Sequence, residues 1–136
     1  MITKEFNVEK EDYINAGKIS SQIKNTLKQL ELPSDLLRKI AVACYEAEIN
    51  MVIHSDGGII TMEIDDNELH LRFKDCGPGI ADLQKAFTAG YSTANQKARE
   101  LGFGAGMGLV NIQRVSEKLD IDTSKKGTTL DLRWHV

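Results

Sequence analysis

The stretch Ile40-Ala-Val-Ala-Cys-Tyr-Glu46-Ala-Glu-Ile-Asn50-Met-Val-Ile-His54 decides how the rest of the chain is read. Its length and composition predict the C-terminal half of a helix. Glu46, Asn50 and His54 recur at every fourth position, so they form one polar row down one side. The residues around the row are almost all apolar, and a helix that apolar is expected to be largely buried. A carboxylate, an amide and an imidazole on such a helix need partners, because unpaired burial costs about 2–7 kcal/mol per polar group. The bland alternative is a solvent-exposed stripe, and the helix alone does not decide between the two.

Working outward, Leu32-Pro33-Ser34-Asp35 starts this helix, with Ser34 or Asp35 as the expected N-cap. Asp56-Gly57-Gly58 is expected to end it through the left-handed geometry that glycine tolerates. Before it, residues 2–8 alternate as a short strand at a sheet edge. Ile14, Ile19, Ile23, Leu27 and Leu30 predict an amphipathic helix over residues 11–30. After it, residues 59–64 and 69–73 are alternating β-rich runs around an Asp65-Asp66-Asn67 turn. A short helix is expected over 82–88, and the Gly-rich segment from Gly90 to Gly108 is expected to be the most mobile. A helix over 109–119 and a last hairpin, 119–123 with 128–134, complete the chain. This order predicts the α+β class. The architecture is a two-layer α/β sandwich: a mainly antiparallel mixed sheet with helices on one face, in a single domain over residues 1–136.

The totals narrow the function. The 136 residues suit one core. Formal net charge is -3 with no basic cluster, so no nucleic-acid partner is expected. No apolar run reaches the roughly 20 residues that span a bilayer, so no membrane association is expected. The N-terminus lacks the apolar core of a signal peptide, and a cytoplasmic location is expected. Cys44 and Cys76 lie in unlike contexts with no Cys-x-x-Cys pair, which suggests neither a structural zinc nor a disulfide.

Three further motifs carry chemistry. Gly102-Phe-Gly104-Ala-Gly106-Met-Gly108-Leu leads straight into a helix. Its glycines free backbone N–H groups to face an anion, and the helix start adds donors and positive potential. Alone, such a run is more readily a flexible loop or a tight helix–sheet contact. The spacing is not that of a dinucleotide fingerprint, and no Gly-Lys-Ser/Thr is present, so there is no P-loop. Asp75-x-Gly77-x-Gly79 leaves a strand with a carboxylate that can accept from an exocyclic amine such as that of adenine; the alternative is a common Asp-Gly turn. Gly127-Thr128-Thr129 opens the last strand, where a hydroxyl could complete a base pocket or simply reflect β-propensity.

Together, Glu-x-x-x-Asn-x-x-x-His, Asp-x-Gly-Pro-Gly-Ile, Gly-x-Gly-Met-Gly-Leu and Gly-Thr-Thr, in this order from about Leu36 onward, resemble the GHKL superfamily of ATPases. The small size and Gly90-Tyr91-Ser92-Thr93 look most like the anti-sigma-factor and switch serine kinases. The resemblance implies the histidine-kinase-like ATPase fold, with ATP and Mg²⁺ as cofactors. It makes Glu46 the general base and Asn50 the Mg²⁺ ligand, which suits a cation that keeps waters and phosphates in its shell. Asp75 would bind the adenine amine, with Gly77, Gly79 and Ile80 lining the pocket. Gly104, Gly106, Met107, Gly108 and Leu109 would hold the phosphates, and Thr128 or Thr129 would sit near the base. His54 is either a phosphate or metal-water contact or a helix-end polar residue. Residues 81–108 would form the ATP lid, and Arg99 within it reads as a phosphate partner or as surface charge. Two positions depart from the pattern: Met51, where many relatives carry a small residue, and Cys76.

Three functions fit. One is a serine-protein kinase acting on a small antagonist protein. Another is an ATP-gated module that holds a sigma factor or scaffold protein without transfer. The third is a plain ATPase. The first strand and helix are also candidates for pairing with a second copy.

Overall fold

A computed structural model describes residues 1–80 and 108–136. The elements are β1 (Ile2–Glu9), α1 (Lys18–Gln29), α2 (Ser34–His54), β2 (Gly57–Ile64), β3 (Glu68–Asp75), α3 (Gly108–Val115), β4 (Lys118–Ser124) and β5 (Gly127–His135). The described strands form one sheet in the order β1-β2-β3-β5-β4, and every described pairing is antiparallel. β1 is an edge strand, as its alternation suggested. The helix expected over 82–88, the segment 90–107, Arg99, and the phosphate-loop residues Gly104, Gly106 and Met107 lie outside the described residues.

Alternation along the strands sorts the side chains into two faces. Ile60, Met62 and Ile64 of β2, Leu69, Leu71 and Phe73 of β3, and Leu130, Leu132 and Trp134 of β5 face the helices. They meet Ile23 and Leu27 of α1, Ile40, Ala43, Ala47 and Met51 of α2, and Leu109 and Ile112 of α3 in one core. Cys44 lies fully buried in this core, and burial pushes its thiol up to about 12. That is the behaviour of a small core residue rather than a reactive thiol. The opposite face of the sheet is charged. There Asp131 accepts from Arg72 Nε at 2.8 Å and pairs with His70 Nε2 at 2.6 Å, while Arg133 donates to Glu68 at 2.9 Å.

Several boundaries differ from the sequence reading. α1 begins at Lys18, not at residue 11. Glu11 and Gly17 both adopt positive φ (56° and 92°), so residues 10–17 run as turns, and Ile14 stands 91% exposed instead of joining the apolar row. α2 starts after Pro33 with no side-chain cap, so neither Ser34 nor Asp35 caps it. It ends at an extended Ser55, whose Oγ donates to the Met51 carbonyl at 2.6 Å and accepts from Gly57 N at 3.1 Å. Gly57 and Gly58 therefore open β2 instead of closing α2. A Cβ on Gly58 would stand 2.7 Å from the Asp75 Cα, so the glycine lets the end of β3 come close. α3 stops at Val115 because Leu119 is taken into β4, paired with Leu132. Trp134 Nε1 donates to the Val115 carbonyl at 3.0 Å and closes that helix end.

Candidate functional site

The predicted row survives in α2, with Glu46, Asn50 and His54 partly buried on one side of the helix. α3 packs against this side. Gly108, the first residue of α3, lies on the Asn50 amide: a Cβ at Gly108 would stand 2.9 Å from Asn50 Oδ1 and 3.1 Å from Nδ2. One turn on, Asn111 donates from its side-chain amide to Glu46 Oε1 at 3.3 Å. The last glycine of the third motif and the helix it opens are thus joined to the acid and amide of the first. Burial lowers the pKa of His54 and so favours the neutral ring at the end of α2.

A second cluster forms where β3 ends and β5 begins. Asp75 Oδ1 accepts from Gly77 N at 3.0 Å and from Thr128 N at 2.8 Å. Both described bonds fall on Oδ1, which leaves Oδ2 for another donor. Burial raises the Asp75 pKa, partly offset by those two N–H groups, and the nearby Asp56 charge raises it further. The glycines of this motif are required by crowding. Gly77 has φ 104°, and a Cβ there would meet the Lys126 carbonyl oxygen at 2.9 Å. A Cβ on Gly79 would run into the Ser124 carbonyl. Thr128 is buried on the helix side of the sheet, and its Oγ1 lies 2.8 Å from Thr123 Oγ1, which also accepts from Ile80 N at 2.8 Å. Thr129 points to the opposite, charged face and is not brought to the cluster.

The two clusters lie at the same end of α2. Asp56 N, two residues past His54, donates to the Gly77 carbonyl at 2.7 Å, and Cys76 N donates to the Gly57 carbonyl at 2.9 Å. Cys76 itself is exposed.

The donor set fits Mg²⁺ carried in on phosphates. Among the described residues no group of three His, Cys, Asp or Glu side chains could hold a metal. Asn50 would supply one neutral oxygen, which suits a cation that fills the rest of its shell with phosphate oxygens and water.

Three residues that matter escaped the sequence reading. Asn111 left no signal, since it is a lone amide in the helix after the glycines. Thr123 reads as an ordinary strand threonine. Glu48 is only 2% exposed and crosses to α1, whose N-cap, Gly17, has no side chain to offer. Its carboxylate accepts from Gly17 N at 3.0 Å, Ser20 N at 2.8 Å and Ser20 Oγ at 2.6 Å. The signal for it was a glutamate where the apolar pattern of α2 called for a core residue.

Comparisons with known proteins agree with this fold. Residues 10–134 match the family model described as the histidine kinase-like ATPase domain. An anti-sigma F factor of Bacillus velezensis is 30% identical over 117 residues, 81% of this chain and 77% of that protein. One from Caldanaerobacter subterraneus is 31% identical over 114 residues, 79% of this chain and 76% of that protein. Among solved structures, the SiaB-SiaC complex of Pseudomonas aeruginosa matches with a TM-score of 0.61 at 14% identity, covering 98% of this chain and 88% of that one. The mycobacterial sensor histidine kinase MprB matches with a TM-score of 0.54 at 16% identity and 97% coverage of both. At these identities the two structures speak for the fold alone. No helix among the described residues is long and apolar enough to cross a membrane.

Proposed function

The chain belongs to the family of histidine kinase-like ATPase domains, and on that premise we propose that it is a Mg-ATP-dependent serine-protein kinase that phosphorylates a small antagonist protein. The observation that carries the reading is the Glu46 carboxylate, held by Asn111 beside the Asn50–Gly108 contact. An ATP-gated binder needs no base next to the metal ligand; a kinase does. The likeness to anti-sigma F factors over about four-fifths of the chain supports a regulatory role with a protein partner.

In this reading Asp75 Oδ2 accepts a hydrogen bond from the adenine amine, while Thr128 N and Gly77 N fix the carboxylate through Oδ1. Gly77, Gly79 and Ile80 wall the base pocket, and Gly108 and Leu109 bring the start of α3 to the phosphates. Mg²⁺, when bound, neutralises charge on the triphosphate, and Asn50 would be its protein ligand. Glu46 takes the proton from the acceptor serine hydroxyl. The serine oxygen then bonds to the γ-phosphorus, the bond from that phosphorus to the bridging oxygen breaks, and ADP leaves. Asn111 keeps the Glu46 carboxylate from turning away.

Incubation with γ-labelled ATP and a candidate antagonist protein tests the proposal. Phosphoserine on the partner is expected. ATP-dependent capture of the partner without transfer, or phosphate release alone, would replace the kinase with one of the other two functions.

A further inference from the structure

We propose that an open groove beside Glu46 docks the serine-bearing segment of the acceptor, and that it selects an extended apolar segment with a carboxylate three or four residues from the hydroxyl. The proposal rests on the kinase reading and adds to it the chemistry of the substrate.

The row that carries Glu46, Asn50 and His54 extends back along α2 at the same spacing to Val42 and Arg38. Beside this N-terminal extension lies a groove of about 480 Å³ between α1 and α2. Leu37, Ala41, Val42 and Tyr45 form its apolar side, and Glu46 lies at one end. Val42 and Tyr45 remain 37% and 42% exposed although they sit on the helix that forms the centre of the core. A chain laid in the groove therefore covers these side chains and ends at the proposed base.

The rim is basic. Lys24 of α1 and Arg38 of α2 both line the groove. Arg38 bonds to Asp35 at 2.8 Å, but both side chains are largely in solvent (73% and 83% exposed), and such a pair holds its partner weakly. Its guanidinium is free to exchange for a carboxylate on an incoming segment. Eight helical residues separate Arg38 from Glu46, about 12 Å along the axis. An extended strand covers that distance in about three to four residues at roughly 3.3 Å each. A carboxylate on Arg38 thus sets a serine at Glu46, with the residues between them on Val42 and Ala41.

The test uses a positional-scanning library of serine peptides with labelled ATP, and nucleotide binding is followed separately by calorimetry. The parent protein should favour Asp or Glu three or four residues to one side of the serine. In the Lys24→Ala/Arg38→Ala protein that preference should flatten, with about a tenfold loss on the best acidic peptide and ATP affinity unchanged. Phosphorylation without an acidic preference overturns the groove, as does a preference that the double variant retains. So does a parent protein that binds ATP but phosphorylates no peptide. A parent protein that fails to bind ATP overturns the kinase reading instead.

Discussion

Gly108 and Asn50 are in contact across the α2–α3 interface, so close that a single added methyl at Gly108 would stand 2.9 Å from the Asn50 amide oxygen. The obstacle is the end of a flexible side chain, not backbone. Gly108→Ala should therefore leave the fold intact and push Asn50 aside. The expected result is an unchanged thermal transition with Mg²⁺-dependent nucleotide affinity lower by about 10–100-fold. Equal affinity in calorimetry would separate Asn50 from the metal.

Glu46→Gln should keep ATP binding and lower phosphotransfer by about 10²–10⁴-fold, the usual cost of a lost general base. Asn111→Ala acts through Glu46 and should lower transfer without changing the KM for ATP. In the Glu46→Gln background Asn111→Ala should add nothing, because its target is gone. Additive losses in that cycle would give Asn111 a separate role.

Asp75 binds an amine only as the carboxylate, and burial raises its pKa above the ordinary 3.8. Adenine-nucleotide affinity should therefore fall on acidification, beginning at a higher pH than an ordinary aspartate would allow. Asp75→Asn should bind more weakly and lack this component. Parent and variant curves of equal slope down to pH 4 would contradict the assignment.

Glu48→Ala removes the acceptor for three donors at the start of α1. Losing a cap costs about 0.5–2 kcal/mol, and each buried donor left unpaired costs about 1–3 kcal/mol. Urea unfolding should show a loss on the order of 3 kcal/mol. A change under about 0.5 kcal/mol would show that water replaces the carboxylate.

On the charged face of the sheet, burial pushes the Asp131 carboxyl up, but the hydrogen bonds and charges of Arg72 and His70 outweigh it and hold the pKa below 3.8. A depressed folded-state value means stability that is fully present above the ordinary value and is lost as pH falls through the depressed one. Asp131→Asn should therefore be less stable than the parent at pH 7, with the gap closing in the acid range below 3.8. A gap that is constant with pH would remove the ion cluster as its cause.

The fold was legible where one period ran unbroken, as in α2 and in the β2–β3 hairpin. Both ends of α2 and the last turn of α1 were legible too, but the start of α1 and the end of α3 were not, because tertiary contacts set them. Residues 11–17 carry helical spacing, yet Gly17 and Glu11 turn the chain, and the cap that starts α1 comes from Glu48, 31 residues away. The glycines at 57 and 58 read as a helix stop, but the contacts that need them are with β1 and β3. In the candidate site, Glu46, Asn50, Asp75 and Gly77 could be picked out because their motifs, undecided one by one, occur together in one order. Asn111 and Thr123 could not, since their value lies only in what they touch. For Thr128 and Thr129 the strand alternation decides which hydroxyl joins the cluster: that of Thr128 turns to the helix side, 2.8 Å from Thr123 Oγ1, and its backbone N–H also donates to Asp75.

The most direct measurement is a calorimetric titration of the protein with ATP and GTP in the presence of magnesium, repeated with Asp75→Asn. ATP should bind with one site per chain, GTP far more weakly, and the variant should lose most of the ATP signal. No heat with ATP, or equal heats for the two nucleotides, would contradict an adenine site built on Asp75 and a triphosphate held between α2 and α3.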